Sequence, residues 1–377
     1  MAGKRGNNEG SIYKRKDGAW CAGITLDNGK RRVLYGKSRD EVAGKLTDAL
    51  KLQRDGLPLF TDRQTVAAYL AEWLTGIEPT LKPRTWQRYE QFVRLHIPPA
   101  IGKLPLGKLA APALRKLYAE RQAAGLAPAT VRQLHAVLHH ALEQAMRDGL
   151  IGRNVAGLVS PPRASGHEMQ TLAPAEARAL LAAAAGERLE ALYAVALSTG
   201  MRQGEMLALR WPDVDLDACS LHVRGTMQRT KHGLRIESPK TAGSRRRVSL
   251  TRTAIEALRR HKAAQNVERL RCGAAWEDQG LVFANELGRP IEAGNLLRRS
   301  FWPLLTKAEL PRIRFHDLRH TAATLMLMKG VHPKIASEML GHSKIGITLD
   351  LYSHVTPTMQ RQATEAIDAM LEGSPTA

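Results

Sequence analysis

Residues Ile313–His354 read IRFHDLRHTAATLMLMKGVHPKIASEMLGHSKIGITLDLYSH. His316 and Arg319 are three residues apart, a spacing that puts both side chains on one face of a helix. An apolar amphipathic run follows, then Leu340-Gly341-His342, then Tyr352 in a polar setting. A further arginine, Arg202, lies far upstream in Ser198-Thr199-Gly200-Met201-Arg202-Gln203-Gly204-Glu205. Guanidinium groups stay cationic and can each grip two phosphate oxygens. A phenol has an ordinary pKa of about 10, so as a nucleophile it needs a base and a cationic pocket. Two arginines, two histidines and a tyrosine thus suggest an anion held by guanidinium groups, with a phenol able to attack it.

The order R … H-x-x-R … H … Y resembles that of the tyrosine recombinase family, phage-type integrases in particular. Arg202, His316, Arg319, His342 and Tyr352 stand at its five positions. The surrounding words LSTGMRQGEMLALRWPDVD, SPKTAGSRRRVSL and LGHSKIGITLDLYSHV are similar to the family's as well. The likeness covers about residues 171 to 354 and reaches the N-terminus more faintly.

The resemblance implies a set of roles. Arg202 and Arg319 would clamp the non-bridging oxygens of a scissile phosphate, because fixed cations stabilise charge that grows in the transition state. His316 would be the general base. His342 would donate to the phosphate or orient it. Lys240 would protonate the departing 5′ oxygen; a solvated turn lysine is the other reading there, since Lys231 is nearby. Glu205 would support Arg202 within the active site. Tyr352 would attack phosphorus, form a 3′-phosphotyrosine and release a 5′-hydroxyl. A 5′-hydroxyl from a partner duplex would then attack that bond. No metal and no other cofactor is expected, because the arginines do the charge work of a metal pair and no P-loop or carboxylate cluster is evident. Four protomers would exchange strands in two steps through a Holliday junction. Core and arm-type attachment sites, an excisionase and a host DNA-bending protein complete the implied partners.

Bulk properties agree with a polyanionic partner. The 377 residues carry a formal net charge of +20, spread along the whole chain. That favours nucleic acid first and an anionic membrane surface second. Cys21, Cys219 and Cys272 are far apart and make no C-x-x-C pair, so neither a zinc site nor a disulfide framework is indicated. The start, MAGKRGNNEG, lacks the apolar core of a signal peptide. No apolar run approaches the roughly 18 residues that a membrane span needs. The expected setting is the cytoplasm of a bacterial host, associated with the nucleoid and away from membranes.

The fold class expected is multidomain and mainly α. Residues 1–57 predict a small three-stranded sheet plus one helix. The β-prone pieces SIYKR, AWCAGITL and KRRVLYG are separated by Asp17-Gly18 and Asp27-Asn28-Gly29, which are hairpin signals. Ser38 and Glu41 then form a capping box for a helix running to about Arg54. Such a module resembles the arm-type DNA-binding domain of phage integrases, with Tyr13, Lys14, Arg15, Trp20, Arg31 and Arg32 as candidate contacts. A packing module with solvated lysines is the alternative.

Residues 62–154 predict a bundle of four helices, over Thr65–Leu74, about 80–96, Pro112–Ala124 and Pro128–Asp148. It resembles a core-binding domain, with Lys82, Arg84, Arg88 and Arg132 as candidate DNA contacts. His135, His139 and His140 sit on successive turns and are taken as core-edge or groove-facing side chains. Residues 155–170 predict an extended linker rich in Pro and Gly. It would let two lobes close around a duplex.

Residues 171–377 predict a mixed α/β catalytic domain, mostly helical with one small antiparallel sheet, ending in a C-terminal helix and tail. A buried helix is expected over Arg188–Thr199, stopped by Gly200. Strands are expected at Leu221–Arg224, Leu234–Ser238 and Arg247–Leu250, with Lys240 between the last two, and a β-prone piece at Gly280–Asn285. A basic helix is expected at Leu258–Arg271 and another at Asn295–Lys307. The segment Thr356–Leu371 reads as an amphipathic helix that docks on its own domain or on a neighbouring subunit. Two rival functions remain at this point: strand relaxation like that of a type IB topoisomerase, and a non-catalytic DNA-binding accessory protein. The complete residue set argues against the second, and the N-terminal module against the first.

Overall fold

A computed structural model of the chain describes residues 10–25, 29, 31–54, 64–163, 169–230, 233–238, 245–341, 345–346, 348–349, 364–365, 367–368 and 371. They fall into two compact units, Met1–Gly166 and His167–Ala377.

In the first unit, strands β1 (Ser11–Lys14), β2 (Trp20–Thr25) and β3 (Arg31–Gly36) form an antiparallel sheet in that order. Asp17 caps the first turn by accepting from the Ala19 N–H. Helix α1 (Arg39–Arg54) lies on one face. Its Val42, Leu46 and Ala49 meet Ala22 and Ile24 of β2 in a small core. The expected capping box is shifted by one residue. Ser38 Oγ accepts from the Glu41 N–H, but the Glu41 carboxylate accepts from Lys37 N–H, not from Ser38.

A second core belongs to the helical bundle. Thr65 caps α2 (Val66–Ile77), whose Val66, Tyr69, Leu70, Trp73 and Leu74 are buried, the five positions that the helical spacing picks out. Then come α3 (Pro83–Leu95), α4 (Pro98–Ile101), α5 (Ala111–Ala123) and α6 (Pro128–Arg147). Tyr69 Oη donates to Ala141 O at 2.7 Å and ties α2 to α6. Trp86 Nε1 donates to Leu74 O at 3.1 Å, supplying a partner for a carbonyl near the end of α2.

Two expectations change here. Beyond the helix expected over about 80–96, Pro98-Pro99 starts a further one-turn helix, α4, because proline suits a first helical turn. The linker also begins later than residue 155. Val155 and Ala156 of a 3-10 turn, with Val159, are buried in the bundle core. The Asn154 amide fixes that turn by donating to His139 O and to Glu143.

The second unit begins with α7 (Pro174–Ala184) and α8 (Glu190–Thr199). Helix α8 is apolar on all sides, so it must be buried all round, and Ala191–Leu197 are buried without a break. It ends at Gly200 in the left-handed conformation, with φ +61°. Next come the short α9 (Gln203–Leu207) and strands β4 (Val214–Asp215), β5 (Ser220–Val223), β6 (Thr226–Thr230), β7 (Gly233–Glu237) and β8 (Arg246–Ser249).

The expected single sheet is in fact two. Strands β4, β5 and β8 form one, and β6 pairs with β7 in the other. Alternation specifies which face of a strand is buried, but not which strand it pairs with. Leu234 and Ile236 of β7 line up with Arg229 and Met227 of β6, a strand too polar to be picked out. Val248 of β8 instead lies opposite Leu221 of β5.

Helix α10 (Arg252–Cys272) starts six residues before the expected Leu258, at its cap Thr251. Gly280–Asn285 is not a strand. It carries two isolated bridges, at Leu281 and Ala284, and Leu281–Ala284 are buried. Helical backbone then runs through α11 (Ala293–Leu296), a π-turn at Leu297–Phe301 and α12 (Trp302–Lys307). The unit closes with α13 (Asp317–Met328) and α14 (Pro333–Leu340). Helices α7, α10 and α13 all pack on α8. Of the expected C-terminal helix only residues 364–365, 367–368 and 371 are described, all helical.

Candidate active site

Two left-handed glycines set the site. Gly200 ends α8 and Gly341 ends α14, with φ +61° and +68°. The two helix ends meet: a Cβ on Gly200 would stand 2.3 Å from Leu340 Cδ2, and one on Gly341 2.8 Å from the Arg246 guanidinium. Glycine is therefore required at both for conformation and for space.

Two residues after Gly200, Arg202 is the N-cap of α9. Its Nη1 donates to Glu205 Oε1 at 2.7 Å, and its backbone N–H donates to Glu205 Oε2 at 3.1 Å. Glu205 is 5% exposed. Burial alone would raise its carboxyl. Hydrogen bonds and charge from Arg246, then Arg202, outweigh that and hold it below the usual carboxylate range.

Arg319 projects from α13 and is 3% exposed. Its Nη1 donates to Gly200 O at 2.8 Å and Leu340 O at 2.6 Å, bridging the ends of α8 and α14. Helix C-termini carry partial negative charge, so this is a favourable place for a buried cation. Its Nη2 is also buried and has no acceptor among the described residues. Burial first, and then the charge of Arg202, push the guanidinium down to about 9, still cationic at neutral pH.

His316 is the N-cap of α13. The turn before it is locked by Asp317, which accepts from the Arg314 N–H at 2.8 Å and from Arg314 Nη2 at 2.7 Å. The His316 ring meets His320 edge-on at 4.9 Å. Burial, followed by His320, Arg319 and Arg314, pushes the His316 imidazole down to about 4. Solvent reaches this exposed residue and softens that push. The ring is neutral at pH 7, as a proton acceptor must be.

Arg202, Glu205, His316 and Arg319 are thus all on the second unit, three of them around the meeting of α8 with α14. Lys240, His342 and Tyr352 lie outside the described residues; in sequence they follow β7, Gly341 and Asp350.

The sequence from 170 to 359 matches the model of the phage integrase family, and 65–120 matches that of the phage integrase N-terminal SAM-like domain. A curated relative from Caldanaerobacter subterraneus subsp. tengcongensis, "Tyrosine recombinase XerC-like", is 30% identical over 91% of this chain and 93% of its own. The chain belongs to the phage integrase family. An "Integrase" of Streptomyces ambofaciens is also 30% identical, over the whole of both chains. Among solved structures, a Tn1549 transposon integrase in complex with a circular intermediate DNA superposes with a TM-score of 0.69 at 22% identity, covering 81% of this chain and 99% of that one. A lambda integrase tetramer bound to a Holliday junction gives 0.56 at 19%, covering 92% and 96%. At those identities the likeness is one of fold. The family identifies an enzyme, a tyrosine-type site-specific recombinase; relaxation alone and non-catalytic binding are not favoured.

For this integrase-family chain, two residues at the site, Arg246 and Asp317, escaped the sequence reading. Arg246 on β8 has a side chain 7% exposed, and its Nη2 donates to Glu205 Oε2 at 2.9 Å. Strand parity was the available signal. Residues 246, 248 and 250 share a face, and Val248 and Leu250 are buried. Asp317 was likewise in plain view in His316-Asp317-Leu318-Arg319.

The surface candidates divide by face. Register puts Tyr13 beside Cys21 and Tyr35, and Arg31 beside Thr25, on the sheet face away from α1. Tyr13 and Tyr35 are 40% and 56% exposed, so Tyr35 joins that set. Trp20 lies in the same row as Lys14, on the α1 side, and packs against the small core. Lys14 stands 5.9 Å over its ring. Arg32 is exposed opposite Ile24, and Arg15 is exposed at the turn beside Asp17, at 3.6 Å. On the bundle, Lys82, Arg84, Arg88 and Arg132 are all exposed. Arg88 is held by Gln133 and lies over the Phe92 ring.

Among the described residues, no three His, Cys, Asp or Glu side chains gather closely enough to hold a metal ion. His135 bonds Tyr118 Oη at 2.9 Å, and His140 meets Trp73 edge-on, so both have packing roles. No described helix is long and apolar enough to cross a membrane.

Proposed function

We propose that this recombinase binds duplex DNA at core and arm-type attachment sites and cuts it through Tyr352. The phenol attacks the scissile phosphorus, the phosphorus–5′-oxygen bond breaks, and a 3′-phosphotyrosine and a 5′-hydroxyl result. A 5′-hydroxyl of the partner duplex then displaces the tyrosine. Arg202 and Arg319 hold the non-bridging oxygens, neutral His316 takes the phenolic proton, Lys240 returns a proton to the 5′ oxygen, and His342 donates to the phosphate. A homotetramer carries out the two exchanges, with an excisionase and a host DNA-bending protein as partners for direction. Residues 1–57 read arm-type sites and 62–154 grip the core site.

The observation that carries this reading is Arg319. A buried guanidinium with one nitrogen tied to two helix ends and the other without an acceptor among the described residues is a donor waiting for an anion. Unsatisfied buried donors are costly, so a buried cationic nitrogen without an acceptor beside Arg202 supports an anion as its ligand.

The test is recombination between two plasmids carrying the sequence that flanks the gene, in EDTA and without ATP. Recombinant junctions read by sequencing are expected. Relaxed topoisomers without any junction would contradict the reading.

A further inference from the structure

Each of the last three carbonyls around the end of α14 is held by a different arginine. Met339 O accepts from Arg246 Nε at 2.7 Å, Leu340 O from Arg319 Nη1 at 2.6 Å, and Gly341 O from Arg202 Nη2 at 2.8 Å. A helix leaves its final carbonyls without intrahelical partners. Here those carbonyls are matched to guanidinium groups instead of water. Two of the three arginines also share one carboxylate, Glu205, which receives Arg202 on Oε1 and Arg246 on Oε2. The cluster therefore links α9, β8, α13 and α14 in one network, and residue 342 is the next along the chain from Gly341.

We propose that Arg246 is a positioning residue for strand cleavage. It acts through Glu205 and the end of α14 to set where Arg202 and Arg319 meet the phosphate. This rests on the recombinase reading of the site. Arg246 is suited to the role by geometry. One arm of its fork reaches a carboxylate on α9, and Nε reaches a backbone carbonyl on α14, so a single planar group fixes two elements at once. A lysine offers a point charge in the same place and cannot satisfy both acceptors in those directions. Close approach at Gly341, where a Cβ would collide with this guanidinium, keeps Arg246 tight against the turn that precedes residue 342. Small displacements of positioned groups can reduce a rate by roughly a hundredfold.

The test uses the full chain and a nicked duplex from the sequence flanking the gene. Wild type, Arg246→Lys, Arg246→Gln, Glu205→Gln and the Arg246→Gln/Glu205→Gln double variant are compared. Adduct formation is timed at saturating DNA, alongside the Kd for the same duplex and the melting temperature. For Arg246→Lys the expected result is cleavage slowed roughly ten- to hundredfold, with Kd within about threefold and a folded protein at the assay temperature. The double variant is expected to be no slower than the slower single variant, because the two residues act as one unit. Cleavage at the wild-type rate in both Arg246 variants would overturn the proposal. So would losses that multiply in the double variant, or a loss of cleavage that only follows loss of folding or binding. If wild type itself forms no adduct on a duplex it binds, the recombinase reading fails first, and the proposal with it.

Discussion

The arginines singled out in the two units stand in different settings. In the second unit, Arg246 and Arg319 are nearly inaccessible to solvent, and with Arg202 their bonds run to one carboxylate and to helix-end carbonyls. In the first unit, Arg31, Arg84 and Arg132 stand exposed on a sheet face and on a bundle. Two buried guanidiniums and the half-buried one of Arg202, against the single Glu205 carboxylate, leave formal charge +2 (three minus one) in a place that salt screens only in part. That arrangement attracts an anion at one point and holds its donors still. The exposed arginines present their charge to solvent, which suits long-range attraction to a polyanion. The difference teaches that a net charge of +20 is two quantities: a part held in a fixed network inside the second unit and a part spread over the surface.

Stability gives the largest contrast. Glu205→Gln leaves Arg202 and Arg246 without their shared anion, and breaking a buried pair of this kind is expected to cost about 3–5 kcal/mol. Asp17→Asn removes the partner of Arg15 in an exposed pair and should stay within about 1 kcal/mol. Urea unfolding of both variants checks this. Equal effects would break the distinction between the two kinds of arginine.

Cleavage comes next. Arg319→Lys keeps the charge but loses the fork, and the rate of adduct formation is expected to fall on the order of 100- to 1000-fold. A rate within tenfold of wild type would place the clamp elsewhere.

The pH response sharpens the same contrast. His316 is pushed down to about 4, whereas an unperturbed histidine titrates near 6.5. Above pH 6.5 both folded and unfolded chains hold it neutral. As pH falls from 6.5 towards 4 the unfolded chain takes up the proton first, so its contribution to stability declines over that window. Glu205 acts in the same direction: its depressed value contributes stability above the usual carboxylate range, lost on further acidification. Cleavage should therefore show no loss assignable to His316 between pH 7 and about 5.5. An acid limb near 6.5 that vanishes in His316→Gln would contradict this.

The smallest effects belong to the exposed set. Arg84→Ala and Arg132→Ala are each expected to lower the slope of log K against log salt by about 0.9. A slope that does not change with either would remove those residues from the DNA contact surface.

Much of this was legible in the sequence, for local reasons. The five buried positions of α2 follow from helical spacing alone. The Gly200 stop, and Glu205 three residues after Arg202, are contacts within one turn. What could not be read was mostly non-local. Alternation in β7 and β8 specifies a buried face but not that they belong to different sheets. Trp20 looked like a surface aromatic until register placed it on the α1 side. Arg246 was hidden among three consecutive arginines, Arg245, Arg246 and Arg247, where only strand parity tells the inward one from its neighbours. Its partners, Glu205 and Met339, are 41 and 93 residues away.

The most direct test of the whole account is covalent trapping at the proposed nucleophile. Wild type and Tyr352→Phe are incubated with the nicked flanking duplex in EDTA, and denaturant-resistant adducts are digested and mapped by mass spectrometry. The account predicts an adduct with wild type only, with the nucleotide attached to the peptide that carries Tyr352. An equal adduct with Tyr352→Phe, attachment at another residue, or no adduct on a duplex that wild type binds tightly would contradict it.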